Sequence, residues 1–376
     1  MSKTVSSVVA AAPTLDRWFA RQGAPLPIDL ARSGAASMTV ADLLDIAGGD
    51  ASQLLELSLD YGAGRGSHRL VTAVRRSLGG AADVEVVVSA GAVEALLLLC
   101  IATAGRGDVL VGAPTYGALL SAPAAAGRQV RAVSVWDPAR GLHFDRLADA
   151  VTASTAMVVV NSPHNPTGAR ASLADIDSLA DRCARHGALL VVDEVARGTL
   201  DAEAVSAVRT RGFANGTTAV LGDVSKSLGL GGLRIGWLAV GDPALAAAAA
   251  TAKDGTTVAS SPLSEHLAAL ALEHAGVILS AVRTSAQANV ALLACLLDAT
   301  GNGKTWTPPA DGLVAFPAFR TTAGIDSLVA RLRDRDVGVV PGSLFGEPGR
   351  IRLGLGGRTD IFASGLRRIG QTLSVG

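Results

Sequence analysis

Lys226 stands in the segment DVSKSLGLGGLRIGW, eight residues before Arg234, with Gly229, Gly231 and Gly232 between them. The chain has four lysines (Lys3, Lys226, Lys253 and Lys304) against 29 arginines, so a lysine set among Gly, Ser and apolar residues calls for a chemical reason. An amine on a long stem, kept from full solvation, can lose its proton and attack a carbonyl, which makes Lys226 a candidate for holding an aldehyde. A guanidinium downstream would then hold a phosphate through charge-assisted, often paired hydrogen bonds. The plain alternative is a solvated lysine in a Gly-rich turn, and only its company elsewhere in the chain weighs against that.

That company is polar and recurs at the ends of apolar runs. In SAGAVEA the small residues Ser89 to Ala92 would let backbone N–H groups approach an anion at the positive end of a helix, although a simple strand-to-helix turn explains them equally. Tyr116 in APTYG is one of only two tyrosines; it could pack, or its flat ring could stack on an aromatic ligand. In NSPHNPTGA the prolines and glycine fix a turn, while Asn165 offers an amide that can donate to a phenolic oxygen; His164 is read as incidental. Asp193 closes the run ALLVVDEV, where a carboxylate is costly unless a cation meets it. A protonated ring nitrogen would serve, and so would a helix N-cap or an arginine. Arg350 and Arg352 in GRIRLGLGG share one side of an apolar strand, where a guanidinium turned inward would suit a carboxylate and one turned outward would be ordinary surface.

The elements that must position these residues show from residue 84 onward. VEVVVS, DVLVGAP, RQVRAVSVW, AMVVVNSP, ALLVVDEV, TAVLGDVS and RIGWLAV are continuous apolar runs, as expected of strands buried on both faces of a parallel sheet. Helix-like pieces lie between them, including Ala92 to Ala104, Leu173 to His186 and Pro243 to Lys253, and strand followed by helix, repeated, predicts an α/β domain. Ligands of such sheets bind beyond the carboxyl ends of the strands, where the polar segments fall. A long helical stretch, Ser264 to Ala299, precedes short strands in GLVAFPAF, VGVVPGS and RIRLGL and helices near 327–334 and 361–373. These predict a smaller α+β domain. The expected division is a large domain over 40–270 and a small one from 1–39 and 271–376, with pocket residues on the small domain around Ser33 to Ala35 and Asp311 to Gly312.

Composition narrows the function. The 376 residues carry no net charge and only 3% aromatics, which gives no support to a nucleic-acid surface or an anionic-membrane partner. The longest apolar run, Ala95 to Ala104, is well short of the roughly 20 residues of a spanning helix, and the N-terminus lacks the basic lead and long core of a signal peptide, so a cytoplasmic location is expected. Cys100, Cys183 and Cys295 lie far apart in apolar stretches and are read as core residues; no metal-ligand spacing is present.

Taken together, SAGAVEA, APTYG, NSPHNPTGA, VVDEV, SKSLGLGGLRIGW and RIRLG, in this order and at these separations, resemble the class I/II aminotransferases, fold-type-I enzymes dependent on pyridoxal phosphate. The likeness spans nearly the whole chain, from LDYGAGRGSHRL onward, and implies a mainly parallel seven-stranded sheet with helices on both faces. It also implies roles. Lys226 would be the Schiff-base lysine and proton shuttle, Asp193 the partner of the pyridine nitrogen, Asn165 a donor to the ring 3-oxygen, and Tyr116 the stacking ring. Arg234, Ser225 and the N–H groups of Gly91 and Ala92 would bind the phosphate; Arg352, with Asn165 and Gly34 nearby, would bind the substrate's α-carboxylate. Tyr61 would reach the neighbouring site of a homodimer.

Two positions depart from the pattern. Ala196 stands where the family usually has a tyrosine facing the ring 3-oxygen, and Asp223 where a serine commonly meets the phosphate. A carboxylate facing a phosphate is unfavourable, so Asp223 is expected to point elsewhere or to meet a cation. The expected activity is transfer of the amino group of an L-amino acid to a 2-oxo acid. The alternative is a lyase or cyclase, because LARSGA, SPHNPTGA, DEVARGTL and SPLSEHLAALAL are similar to the capreomycidine synthase-like subgroup. A cofactor-binding protein without turnover is a third reading, against which the intact Lys226, Asp193, Arg234 and Arg352 argue.

Overall fold

The structure is a computed structural model, and it describes residues 15–80, 84–303 and 306–374; Lys3, Lys304 and the apolar patch before Leu15 lie outside the described residues. All seven apolar runs form strands of one sheet: β1 Glu85–Ser89, β2 Asp108–Ala113, β3 Val130–Ser134, β4 Thr155–Asn161, β5 Leu189–Asp193, β6 Thr218–Asp223 and β7 Gly236–Val240. Their order across the sheet is β1-β7-β6-β5-β4-β2-β3. The runs are continuous because both faces are covered. Val86 and Val88 of β1 enter one apolar cluster while Val87 enters another on the opposite face.

Strand direction places the chemistry. Neighbours from β6 through β3 are parallel, whereas β7 runs antiparallel to both β6 and β1. The register sets Asn161 beside Asp193, Asp223 beside Gly236, and Gly236 beside Ser89. Reversal of β7 therefore brings the start of that strand, with Arg234 just ahead of it, to the edge where the parallel strands end.

The helices Ala92–Ala102, Leu173–Ala184 and Pro243–Asp254 match the expected segments, the second opened by a reciprocal Ser172–Asp175 capping box and the third by Asp242 before Pro243. The expected stretch from Ser264 to Ala299 is two helices, Pro262–Glu273 and Ala275–Ala299. By length and composition alone the second could cross a membrane. Here it belongs to the fold: Leu293 and Leu297 are buried with Ile351 and Phe362, and Asn289 Nδ2 donates to the carbonyls of Leu355 (2.8 Å) and Gly357 (3.0 Å).

A second, three-stranded antiparallel sheet joins Val314–Ala315, Ile351–Gly354 and Val340–Pro341 over its own apolar cluster, which includes Ile28 and Leu30. Two residues near the N-terminus, Ile28–Asp29, also pair in parallel with Val337–Gly338. Cys100 and Cys183 are buried as expected, but Cys295 is exposed, because it falls on the outward side of a helix whose apolar residues do not all face inward.

Candidate active site

A cavity of about 890 Å³ opens at the carboxyl edge of the main sheet. Of the residues singled out from sequence, Gly34, Ala92, Tyr116, Asn165, Asp193, Ser225, Lys226 and Arg234 line it. Gly91 and Arg352 adjoin the lining without forming it. Tyr61 does not line the cavity and is 88% exposed, two residues from the exposed Leu59.

Lys226 sits in the turn after β6, and Asp223 shapes that turn. Its Oδ1 accepts the backbone N–H groups of Ser225 (2.8 Å) and Lys226 (3.3 Å). The opposite side of the turn is held by the segment 30–36, where Ala35 N–H donates to the Lys226 carbonyl (2.8 Å). A Cβ on Gly229, whose φ is +71°, would collide with the Ala36 carbonyl, so this crossing requires glycine. Sequence placed Ser33 to Ala35 at a pocket and Gly34 near the substrate; the main-chain partners of 30–36, which include Gly338, Gly354, Gly356 and Lys226, are distant in sequence.

Next to the lysine turn is a small-residue cradle. Helix Ala92–Ala102 begins at Gly91 with no side-chain cap, leaving its first amides toward the cavity that Ala92 and Val93 line. Across from it, Arg234 adopts φ +53° and donates through Nη2 to the Ala90 carbonyl (2.9 Å) and through Nη1 to the Gly231 carbonyl (3.2 Å). A Cβ on Gly91 would strike that guanidinium, and one on Gly236 would lie 2.5 Å from Ala92 N. An uncapped helix start, a positioned guanidinium and room kept free by glycines fit a phosphate.

The acids are buried. Burial, reinforced by the charges of Asp223 and Glu194, pushes the Asp193 carboxyl up to about 7, against the opposing pull of the Val195 N–H and Lys226. Burial also raises Asp223, with Lys226 acting in the other direction. Asp223 thus lines the cavity rather than pointing away, and Lys226 is the cation it meets. Ser225 Oγ is buried beside this carboxylate and makes no hydrogen bond of proper geometry, though it is near enough to lower the carboxyl's pKa.

Arg352 is fully buried. Its Nη2 donates to the Ala31 carbonyl (2.6 Å), its Nη1 to Asn165 Oδ1 (3.1 Å), and the guanidinium lies 5.5 Å from the centre of the Phe345 ring. Because Asn165 spends its oxygen on Arg352, its amide NH₂ is the end left for a ligand. Arg350, on the same side of the strand, stacks on Trp136 and donates to the Phe316 carbonyl, so only one of the two arginines adjoins the site.

Sequence reading undervalued two groups. His164 is buried with its pKa lowered to about 4 by desolvation; Nε2 donates to the Pro114 carbonyl (2.7 Å) and Nδ1 accepts from Thr167 Oγ1 (2.7 Å). As a neutral clamp it ties the Tyr116 turn to the Asn165 turn. Asp311 is also buried, accepting the N–H groups of Gly198 (2.8 Å), Thr199 (3.0 Å) and Leu200 (2.8 Å), and so fixes Gly312 against the loop that carries Ala196. In sequence neither position had a recognisable spacing, because backbone groups supply the partners.

An amine for an aldehyde, an acid for a ring nitrogen, an amide for a phenolic oxygen and a phosphate cradle thus share one cavity, and the residues fit pyridoxal phosphate. Comparison with known proteins agrees. Residues 56–369 match the profile of the family described as aminotransferase class I and II. Capreomycidine synthase of Streptomyces vinaceus is 31% identical over 371 residues, covering 96% of this chain and 94% of the relative. Arginine–pyruvate transaminase of Pseudomonas aeruginosa is 33% identical over 296 residues, 76% of this chain and 74% of the relative. Among solved structures, a pyridoxal-phosphate-dependent aminotransferase from Streptococcus suis shares the fold with a TM-score of 0.86 at 23% identity, each chain covered to 96%. A pyridoxal-phosphate-dependent cyclase, OrfR, superimposes with a TM-score of 0.82 at 33% identity, over 96% of this chain and 97% of the cyclase. This chain belongs to the class I and II aminotransferases, and its cofactor is pyridoxal 5'-phosphate.

Proposed function

We propose that this enzyme withdraws the Cα proton of an L-amino acid and transfers the amino group to a 2-oxo acid. The observation that carries the reading is the convergence of Lys226, Asp193 and Asn165 on one cavity, with Arg352 bonded to Asn165 from behind its lining. When bound, pyridoxal phosphate supplies the electron sink for the carbanion. Asp193 would hold a proton on the ring nitrogen, because an ionised carboxylate at this depth needs a cation. Asn165, oriented by Arg352, would donate to the ring oxygen, and Arg352 would receive the substrate carboxylate beside it. Lys226, on a turn braced by Asp223 and Ala35, carries the proton to and from Cα. Tyr61, with Leu55 and Leu59 exposed near it, suits a contact with a second copy in a homodimer.

A second reading is loss of a β-substituent, or ring closure, at the same carbanion. It is favoured by two relatives matched over nearly their full length, capreomycidine synthase and the OrfR cyclase. Ala196, which lines the cavity without a phenol, leaves room beside the ring that such chemistry could use. The name of the arginine–pyruvate transaminase makes arginine the first substrate to try under either reading.

One experiment separates them. Purified protein loaded with pyridoxal phosphate is mixed with L-arginine and its β-hydroxy derivative while the visible cofactor band and the products are followed. Under transamination, the band is lost in step with 2-oxo acid formation and returns on adding pyruvate. Under elimination or cyclisation, the band persists through turnover and no amino acceptor is needed. A Lys226→Ala protein that keeps the same band and the same turnover would sink both.

A further inference from the structure

We infer that Glu94 is a positioning residue for the cofactor phosphate and ties the phosphate cradle to the surface loop 253–260, on the reading that Arg234 and the amides of Gly91 and Ala92 hold that phosphate. A glutamate three residues into a helix commonly turns back to the N-cap amide. Glu94 reaches one residue further: its Oε2 accepts the Ala90 N–H (2.5 Å), while the carbonyl of the same residue accepts Arg234 Nη2 (2.9 Å). Ala90 is thus held from both ends, by an acid on its amide and by the arginine on its carbonyl. Next to it, Ser89 Oγ donates to the Gly91 carbonyl (3.0 Å), and Gly91 takes φ +96°. The helix start has no side-chain cap, so these bonds set where its first amides and the guanidinium point.

The other carboxylate oxygen, Oε1, accepts from Thr256 Oγ1 (2.9 Å) on an exposed loop. That loop has a costly shape. Ala259 N–H donates to the Thr257 carbonyl two residues back (2.7 Å), and Val258 between them takes φ +61°, unusual for a β-branched residue. The Lys253 carbonyl accepts the N–H groups of Thr256 (2.9 Å) and Val258 (3.0 Å), and the buried Lys253 ammonium donates to the Gly64 carbonyl (2.8 Å). A carboxylate close to a phosphate is repelled by it. Neither Ala90 nor Glu94 lines the cavity, however, and Lys253 supplies a positive charge nearby: burial lowers its pKa, and the charges of Glu265, Glu94 and Asp254 oppose that shift. Glu94 therefore serves the cradle from behind, where its charge-assisted hydrogen bonds outweigh the remaining repulsion.

The test titrates the full chain, stripped of cofactor, with pyridoxal phosphate and with pyridoxal, which lacks the phosphate, and follows protein fluorescence. Glu94→Asp keeps the charge and loses the reach to Ala90, whereas Glu94→Gln keeps the reach and an acceptor oxygen and loses the charge. Thr256→Val removes the hydroxyl of the loop. Pyridoxal phosphate affinity should fall by about 10-fold in Glu94→Asp and about 3-fold in Thr256→Val and stay within about 2-fold of wild type in Glu94→Gln, with pyridoxal affinity within about 2-fold throughout. Should Glu94→Asp fail to fold, Thr256→Val carries the same comparison of the two ligands. An equal loss for pyridoxal would make Glu94 a plain support of the fold, and a loss in Glu94→Gln without one in Glu94→Asp would assign the effect to charge; either result would overturn the inference. Wild-type affinity in Thr256→Val would overturn the link to the loop. Arg234→Gln separates this from the cradle reading itself. If pyridoxal phosphate affinity survives that change, the phosphate is held elsewhere; if it falls there and not in Glu94→Asp, only the positioning role is lost.

Discussion

Replacing Asp193 by Asn should stabilise the cofactor-free protein in mild alkali and change little in acid. Burial, with Asp223 and Glu194 adding repulsion, lifts the Asp193 carboxyl from an ordinary 3.8 to about 7. Between those values the folded chain keeps a proton that the unfolded chain has released, so stability falls as pH rises through the window. At 1.36 kcal/mol per unit, the two units from about pH 5 to about pH 7 remove about 2.7 kcal/mol from wild type. The amide of the Asp193→Asn variant has no charge to bury and escapes that loss. Urea unfolding of both cofactor-free proteins at about pH 5 and about pH 8 should show the variant gaining roughly 2–3 kcal/mol on wild type between the two conditions. Loading with pyridoxal phosphate should reverse the ranking at the higher pH, because wild type then has a cation against its carboxylate. A difference between the two proteins that is the same at both pH values would refute the argument.

Three other substitutions probe the scaffold. Gly91→Ala puts a methyl against the Arg234 guanidinium and should weaken pyridoxal phosphate binding by about 10-fold or more, measured by fluorescence titration, with the fold retained. Asn289→Ala removes a buried hydrogen bond to the Leu355 carbonyl and a partly buried one to Gly357 and should cost about 2 kcal/mol in chemical denaturation. Lys253→Met removes the buried ammonium that donates to the Gly64 carbonyl (2.8 Å), so proteolysis should cut the 61–66 loop faster while the remainder of the chain stays resistant.

The seven strands could be read from sequence because each is apolar on both faces, and a run such as AMVVVNSP has no other stable use in a chain of this kind. Direction could not be read. RIGWLAV looks the same whether parallel or antiparallel, yet only its reversal delivers Arg234 to the site. Residues recognised by side-chain chemistry, such as Lys226 and Asp193, were legible, whereas those acting through backbone partners were not. His164 clamps two turns through the Pro114 carbonyl and Thr167, and although Gly34 was named as a pocket residue, the main-chain bond that ties its segment to the Lys226 turn leaves no pattern in residue type. Tyr61 was singled out only through family likeness, since a single exposed side chain carries no physical signal of a partner.

Arg352 couples the two halves of the site, and Arg352→Lys tests the coupling. Its planar guanidinium holds the Ala31 carbonyl and Asn165 Oδ1 at once, and a single ammonium on a flexible stem cannot reproduce that fork. Loss of the contact to Asn165 frees that amide to turn, so pyridoxal phosphate affinity should drop by about 3- to 10-fold even though Arg352 does not line the cavity. If Arg352 receives the substrate carboxylate as proposed, loss of its guanidinium should weaken L-arginine binding by about 100-fold, equivalent to about 2.7 kcal/mol. Agmatine, which is arginine without its carboxylate, supplies the control: the variant should bind it within about 3-fold of wild type. If agmatine and arginine lose affinity equally, Arg352 acts only by bracing the 30–36 segment, and the carboxylate must be received elsewhere in the cavity. If neither loses affinity while cofactor binding still drops, the Asn165 contact is the whole of its role.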